Sequence, residues 1–363
     1  MTDVDVAVIG AGLTGACTAW QLARRGIEVA LIDAYSPGHT HGSSHGSARI
    51  FRRAYPDPFY VELTARASLE WRRLESESGR TLLTITGGID HGRMRDPATL
   101  ATTMAQCNVD AELLTAEDAA ARWPGMRFDG PALFHADAGV VDADATVVAA
   151  AHLAANAGAI LMFDNPVTAM RHDGNRFRIS APRPLTARRV VIAAGPWLPE
   201  LTDQLALGTI LPTLTVRQQQ VFHFALRDPS ASYPVFVHKD DLQMYGLPSG
   251  SDVDVPAVKI GRFDDGVVTT ASTRSGTIPD ELRDPVIDYV RQWLPALAPE
   301  PIGQASCLFT MTDDEDFIID RIGPVVIASP CSGHGAKFAP LTGHLAAQLV
   351  LGEAQPDPRF TLH

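Results

Sequence analysis

A glycine turn between two short apolar strands, close to the start of the chain, limits the fold more than any other feature. Asp5-Val6-Ala7-Val8-Ile9 is a continuous, largely β-branched run, the pattern of a parallel strand covered by helices on both faces. Gly10-Ala11-Gly12-Leu13-Thr14-Gly15 follows and matches G-x-G-x-x-G. Ala16 to Arg25 then carries Cys17, Ala19, Trp20, Leu22 and Ala23 at helical spacing, and Gly26 closes the helix. A second strand, Glu28 to Ile32, ends in Asp33. Strand, glycine turn, helix, strand and acid in that order describe a dinucleotide-binding unit. Gly10 makes the tight turn, Gly12 admits a pyrophosphate to the backbone, and Gly15 lets the helix pack on the strand. The helix N-terminus faces the phosphates. Asp33 is placed to accept from a ribose hydroxyl, and its charge would repel the 2′-phosphate of NADP. The motif does not choose FAD over NAD.

Length and composition narrow the class. With 363 residues, 45% hydrophobic and 20% charged, the chain can bury a substantial core in two or more domains. Its 30 basic and 42 acidic side chains give a net charge of −12, which argues against nucleic acid or an anionic membrane as partner. Any anionic substrate must therefore be held by local cations. Cys17, Cys107, Cys307 and Cys331 lie far apart with no C-x-x-C pair, so neither a disulfide framework nor a metal site is expected. The apolar run ending at Gly10 is too short for a signal peptide, and Val147 to Phe163, broken by His152 and Asn156, reads as a buried helix running into a strand. A cytoplasmic protein is expected.

The segment after Asp33 is more specific. Ala34-Tyr35-Ser36-Pro37-Gly38-His39-Thr40-His41-Gly42-Ser43-Ser44-His45-Gly46-Ser47-Ala48-Arg49-Ile50-Phe51-Arg52 is a polar, glycine-rich loop for which a nicotinamide dehydrogenase has no use. It resembles the FAD-dependent amine oxidases of the monomeric sarcosine oxidase and N-methyltryptophan oxidase family, within the D-amino acid oxidase superfamily. The resemblance recurs at Val190 to Trp197, Ser306 to Thr310, Asp316 to Asp320 and Ser332 to Phe338. It implies an α/β plus α+β fold: a Rossmann-like FAD-binding domain (1–86, 143–212 and 315–363) interleaved with an antiparallel-sheet substrate domain (87–142 and 213–314). The helical pattern Asp144 to Ala157 and the strands Ala159 to Phe163 and Ala187 to Ala193 suit the first of these.

The resemblance also assigns residues. FAD would contact Gly10, Gly12, Leu13, Thr14, Gly15, Asp33, Ala34, Gly42, Ser43, Arg49, Val167, Ala194, Gly195, Trp197, Gly333, Gly335 and Lys337, and would be tethered covalently through Cys307, with Cys331 the rival thiol. Arg52 and Lys337 match the cations that clamp a substrate carboxylate, whereas Arg53 is expected in a surface salt bridge. Lys259 lies on an apolar run where a lysine is costly unless it has a task or a partner. It matches the family lysine whose charge stabilises superoxide; the plain alternative is an edge-strand lysine. Tyr245 matches a cavity-lining tyrosine, and His45 and Arg49 match residues flanking the flavin. Two departures stand out: Phe263 where a substrate-side histidine belongs, and a loop, Ser249 to Pro256, about three residues longer.

The implied reaction transfers a hydride equivalent from the carbon beside nitrogen to FAD, leaving an imine that water hydrolyses, while O2 becomes hydrogen peroxide. The substrate would be a small amine, a secondary N-methyl α-amino acid such as sarcosine, and the protein a monomer. Phe263 keeps a bulky or cyclic amine open: N-methyltryptophan, proline, pipecolate or a biosynthetic imine. A dehydrogenase, a silent flavoprotein and an NAD enzyme are further alternatives.

Overall fold

The computed structural model describes residues 2–204, 211–263 and 266–362; residues 205–210, inside the expected 143–212 segment, lie outside the described residues, as do residues 1 and 363 at the limits of the other two.

Strand β1 (Thr2–Ile9), helix α1 (Leu13–Ala23) and strand β2 (Val29–Ile32) form the foreseen unit. β1 and β2 pair in parallel from Val6↔Val29 to Ile9↔Ile32. On its other side β1 pairs in parallel with Leu185–Ile192, which pairs in turn with Val325–Ser329, while β2 takes Ile160–Met162. Alternate β1 residues enter different cores. Val6 and Val8 pack with the helical layer and Ala7 and Ile9 join the cluster on the opposite face, which is why the strand reads as an unbroken apolar run. Apart from Thr14 every residue of α1 is buried, and it packs against helices Ala143–Asn156 and Ala339–Leu351. Asp142 caps the former by accepting from Ala145 N at 2.8 Å.

A nine-stranded sheet forms the second layer. Its strands run antiparallel except where Val235–Lys239 pairs in parallel with Gly88–His91. Helix Asp280–Trp293 backs one face, packing its Val286, Tyr289 and Val290 into a core with Phe222, Phe224, Val258 and Ile260. The period-two alternation of strands then turns Lys259 and Gly261 to the other face, opposite His223 and Val221 on one neighbouring strand and Leu247 and Tyr245 on the other. Ala257–Arg262 is thus an interior strand, so Lys259 is not the edge-strand lysine of the alternative.

A three-stranded sheet of Arg49–Phe51, Leu83–Ile85 and Gly139–Val141 was not foreseen. It pairs segments from both expected domains and carries Arg49 and the approach to Arg52. No helix among the described residues is long and apolar enough to cross a membrane.

Candidate active site

The strands β1, β2 and Leu185–Ile192 all end at one cavity of ≈ 740 Å³, lined at that end by Gly10, Asp33 and Ala194. The C-terminal edge of a parallel sheet is where such folds bind ligands, and the volume lies in the usual range for a cofactor or substrate site. The antiparallel sheet closes the opposite side with Tyr245, Lys259, Phe263 and Cys307.

The glycine turn fits a dinucleotide. Gly10 has φ +100°, and a Cβ there would lie 2.3 Å from the carbonyl oxygen of Ala193. Gly12 is the N-cap of α1, no acid stands in the first helical turn, and Ser44 Oγ accepts from Leu13 N at 3.1 Å. That leaves a helix N-terminus suited to phosphate. Asp33 already accepts from Ala11 N at 2.6 Å and from Tyr35 N at 2.9 Å, so it braces the turn as well as facing the cavity. Gly15 does not line the cavity; it packs beneath the turn, where a Cβ would stand 1.8 Å from Gly10 O, the close helix–strand approach expected of it.

The other expected residues do converge. Leu13, Thr14, Ala34, Gly42, Ser43, Val167, Gly195, Trp197, Gly333 and Gly335 line the same cavity. Ser43 Oγ donates to Leu308 O at 2.5 Å, and Arg49 donates to Ala48 O at 2.8 Å and to His45 O, so the loop after Asp33 is fastened over the cavity. Burial first, then the charges of Arg49 and Lys259, push His45 down to about 3. It is a neutral imidazole at working pH. Cys307 and Cys331 both face the cavity, and burial raises the Cys331 thiol, disfavouring its nucleophilic form.

Two cations stand at the far end. Lys337 is buried, with Nζ donating to His334 O at 2.8 Å and its own carbonyl accepting from Trp71 Nε1 at 2.7 Å. Arg52 lies over the Tyr55 ring at 4.4 Å and donates to Ala54 O. Among the described residues neither has a carboxylate partner, whereas the adjacent Arg95 is paired with Asp90 at 2.6 Å. Burial, followed by the charges of Arg52 and Arg95, holds the Lys337 ammonium well below its usual range. Such a pair is built for an anion. Arg53, by contrast, sits 3.1 Å from Asp137 in the expected salt bridge.

The Tyr245 and Phe263 rings pack at 4.7 Å and form an aromatic wall. Lys259 Nζ donates to Asp252 Oδ2 at 2.7 Å and to Ala48 O at 3.3 Å. Sequence reasoning missed Asp252, which lines the cavity from the long loop. It also missed a simple signal. Of 30 basic residues only three are lysines; Lys259 and Lys337 line the cavity, and Lys239 lies 5.1 Å from the Phe263 ring.

The fold and the site define a flavin-type oxidoreductase, and the chain belongs to the family of FAD-dependent oxidoreductases, whose profile matches residues 5–349. Within it the chain is of the sarcosine oxidase and N-methyltryptophan oxidase type. It is 33% identical to a monomeric sarcosine oxidase of Streptomyces avermitilis over 98% of this chain and 95% of that one. It is 31% identical to an N-methyl-L-tryptophan oxidase of Escherichia coli, over 95% and 94%. NikD, an amino acid oxidase of nikkomycin biosynthesis, shares the fold at TM-score 0.89 and 24% identity, covering 100% of this chain and 98% of its own.

The uncompensated pair predicts a pH-dependent anion site. Arg52→Ala should weaken binding of a simple carboxylate such as acetate by roughly 10- to 100-fold, the loss of a charge-assisted contact. In the parent protein acetate affinity should fall as pH rises, beginning below the ordinary lysine range, because Lys337 loses its proton early. Perturbation of the flavin spectrum reads both. Equal affinity in the variant, or affinity rising with pH, would refute the assignment.

Proposed function

We propose that this protein oxidises secondary N-methyl α-amino acids such as sarcosine at the carbon–nitrogen bond, with O2 as electron acceptor and hydrogen peroxide as product. The observation that carries the proposal is the pair Arg52 and Lys337, two cations that line the cavity the dinucleotide turn opens into and that, among the described residues, make no ion pair with a carboxylate. FAD, held by the glycine turn, Asp33, the 42–49 loop and the 333–335 turn and tethered through Cys307, would supply hydride acceptance and the return of electrons to oxygen. The protein's own groups orient and exclude. The guanidinium fork of Arg52 fixes the substrate carboxylate, Lys337 adds a point charge, and both set the direction in which the amine points. Tyr245 and Phe263 shield the reacting carbon from water. Lys259 lends a positive charge that favours the first electron's arrival on oxygen. His45, being neutral, orients by hydrogen bonding.

The aromatic wall favours a second reading, a bulkier or cyclic amine such as N-methyltryptophan, proline or pipecolate, because Phe263 offers a ring face where a titratable imidazole would give a polar one. The same proposal assigns the cofactor to 1–86, 143–212 and 315–363 and the substrate to 87–142 and 213–314. It takes the protein as a cytoplasmic monomer, which four free cysteines suit.

Anaerobic mixing with sarcosine, N-methylalanine, N-methyltryptophan, proline and pipecolate tests the substrate class. Bleaching of the flavin band by sarcosine or N-methylalanine, reversed by air with peroxide formed, is the expected result, and Lys259→Met should slow the recovery far more than the bleaching. Bleaching by N-methyltryptophan or the cyclic amines alone would transfer the assignment to the second reading. No bleaching by any of them would defeat both. For the tether, acid precipitation should leave the yellow colour in the pellet, and Cys307→Ser should release it to the supernatant; colour retained by the variant would contradict attachment at Cys307.

A further inference from the structure

The loop 249–256, expected from the sequence to be longer than in the family it resembles, reaches the cavity with Asp252 and Val253. It is fastened on both sides. Ser249 N donates to Ala257 O at 2.9 Å, the Ser249 hydroxyl meets His223 Nδ1 at 2.9 Å, and the Ser47 hydroxyl donates to Ser249 O at 3.2 Å. The Asp252 carboxylate is fully engaged: Oδ2 takes Lys259 Nζ at 2.7 Å, while Oδ1 takes Ser47 N at 2.5 Å and Ser47 Oγ at 2.8 Å. It therefore links the loop over the cavity to the strand that carries Lys259.

The charges facing Lys259 come from every element around it. Arg49 arrives from the three-stranded sheet, His45 from the loop after Asp33, His223 and Cys307 from neighbouring strands, and Asp252 from the long loop. His45 and His223, driven down to about 3 and about 4 chiefly by burial, are neutral. Among the described residues Asp252 is the one carboxylate paired with Lys259. Burial and Arg49 together bring Lys259 down to about 8, against the opposing pull of Asp252. Burial would raise Asp252, but Lys259 and Ser47 bring it to about 2, so its charge is constant at working pH.

We propose that Asp252 is a positioning residue, one that fixes the Lys259 ammonium at the cavity wall and sustains its charge there. The kinetic consequence rests on Lys259 serving oxygen as described above; the ion pair itself does not. Without Asp252 the ammonium would face Arg49 uncompensated, and it would deprotonate at lower pH by about one to three units, the usual effect of one opposite charge at contact distance. The alkaline limb of the reaction with oxygen would move with it, with no such shift in the anaerobic reaction with amine.

Three lysines in the chain make the test direct. Holoprotein labelled with 13C at lysine Cε gives three signals, of which Lys259→Met identifies one, and that signal should titrate near pH 8. In Asp252→Asn it should titrate at least one unit lower while the Lys239 and Lys337 signals hold, and Asp252→Glu should restore it. Asp252→Ser provides a second neutral variant should the first not fold. Stopped-flow recovery in air should show its alkaline limb displaced equally. An unmoved Lys259 midpoint in the neutral variants would overturn the proposal, as would a shift common to all three lysines, the mark of a general disturbance. Failure of every amine to bleach the protein would defeat the proposed function and leave the lysine titration readable on its own.

Discussion

A methyl group's width separates the backbone segments at the centre of this molecule. A Cβ on Gly10 would stand 2.3 Å from Ala193 O, and one on Gly15 would stand 1.8 Å from Gly10 O, so the first strand, the first helix and the strand ending at Ile192 meet only because two side chains are missing. That approach brings three strand ends to one point and aims a helix N-terminus at it. Asp33 secures the arrangement by accepting from Ala11 N. The cavity opens at this junction, with the 42–49 loop and the antiparallel sheet on its other sides.

The cavity is balanced in charge where the chain as a whole is acidic. A chain of net charge −12 sets Arg49, Arg52, Lys259 and Lys337 against Asp33, Asp144, Glu200 and Asp252 around one cavity, and burial makes the two lysines expensive. The structure offsets the cost unequally. Lys259 has Asp252, and Arg95 behind the site has Asp90. Arg52 has the Tyr55 ring and Lys337 a carbonyl. Among the described residues Arg52 and Lys337 are left without a carboxylate, and the proposed function has them receive one from outside, whereas the charge of Lys259 is balanced internally.

Much of this was legible in the sequence, unevenly and for physical reasons. The β1–α1–β2 unit has its own local grammar, an apolar run, glycines at fixed spacing and an acid, and the structure differs only by a few residues at its ends. The antiparallel sheet has no such grammar. Its longest strand, Leu297–Met311, contains Pro299 and Pro301 and pairs with Thr215–Leu226 through two register shifts, and prolines and bulges erase the alternation by which strands are recognised. The three-residue strands Arg49–Phe51 and Gly139–Val141 are too short to show a period at all. Asp252 was hidden differently: it is one of two aspartates in a polar loop, and nothing local marks it from Asp254. Only the fold reveals that it meets a buried lysine seven residues on. The scarcity of lysine was the overlooked clue, since arginine serves almost everywhere else in the chain.

The proposed function requires an amino acid to enter this cavity carboxylate first, between Arg52 and Lys337. A crystal structure of the holoprotein with methoxyacetate, which carries the carboxylate of sarcosine but an ether oxygen in place of its amine, tests it most directly. The account predicts a carboxylate in contact with both the Arg52 guanidinium and Lys337 Nζ, with the methoxy end towards Tyr245 and Phe263. A carboxylate bound elsewhere in the cavity, with Arg52 and Lys337 keeping only their present contacts, would contradict it.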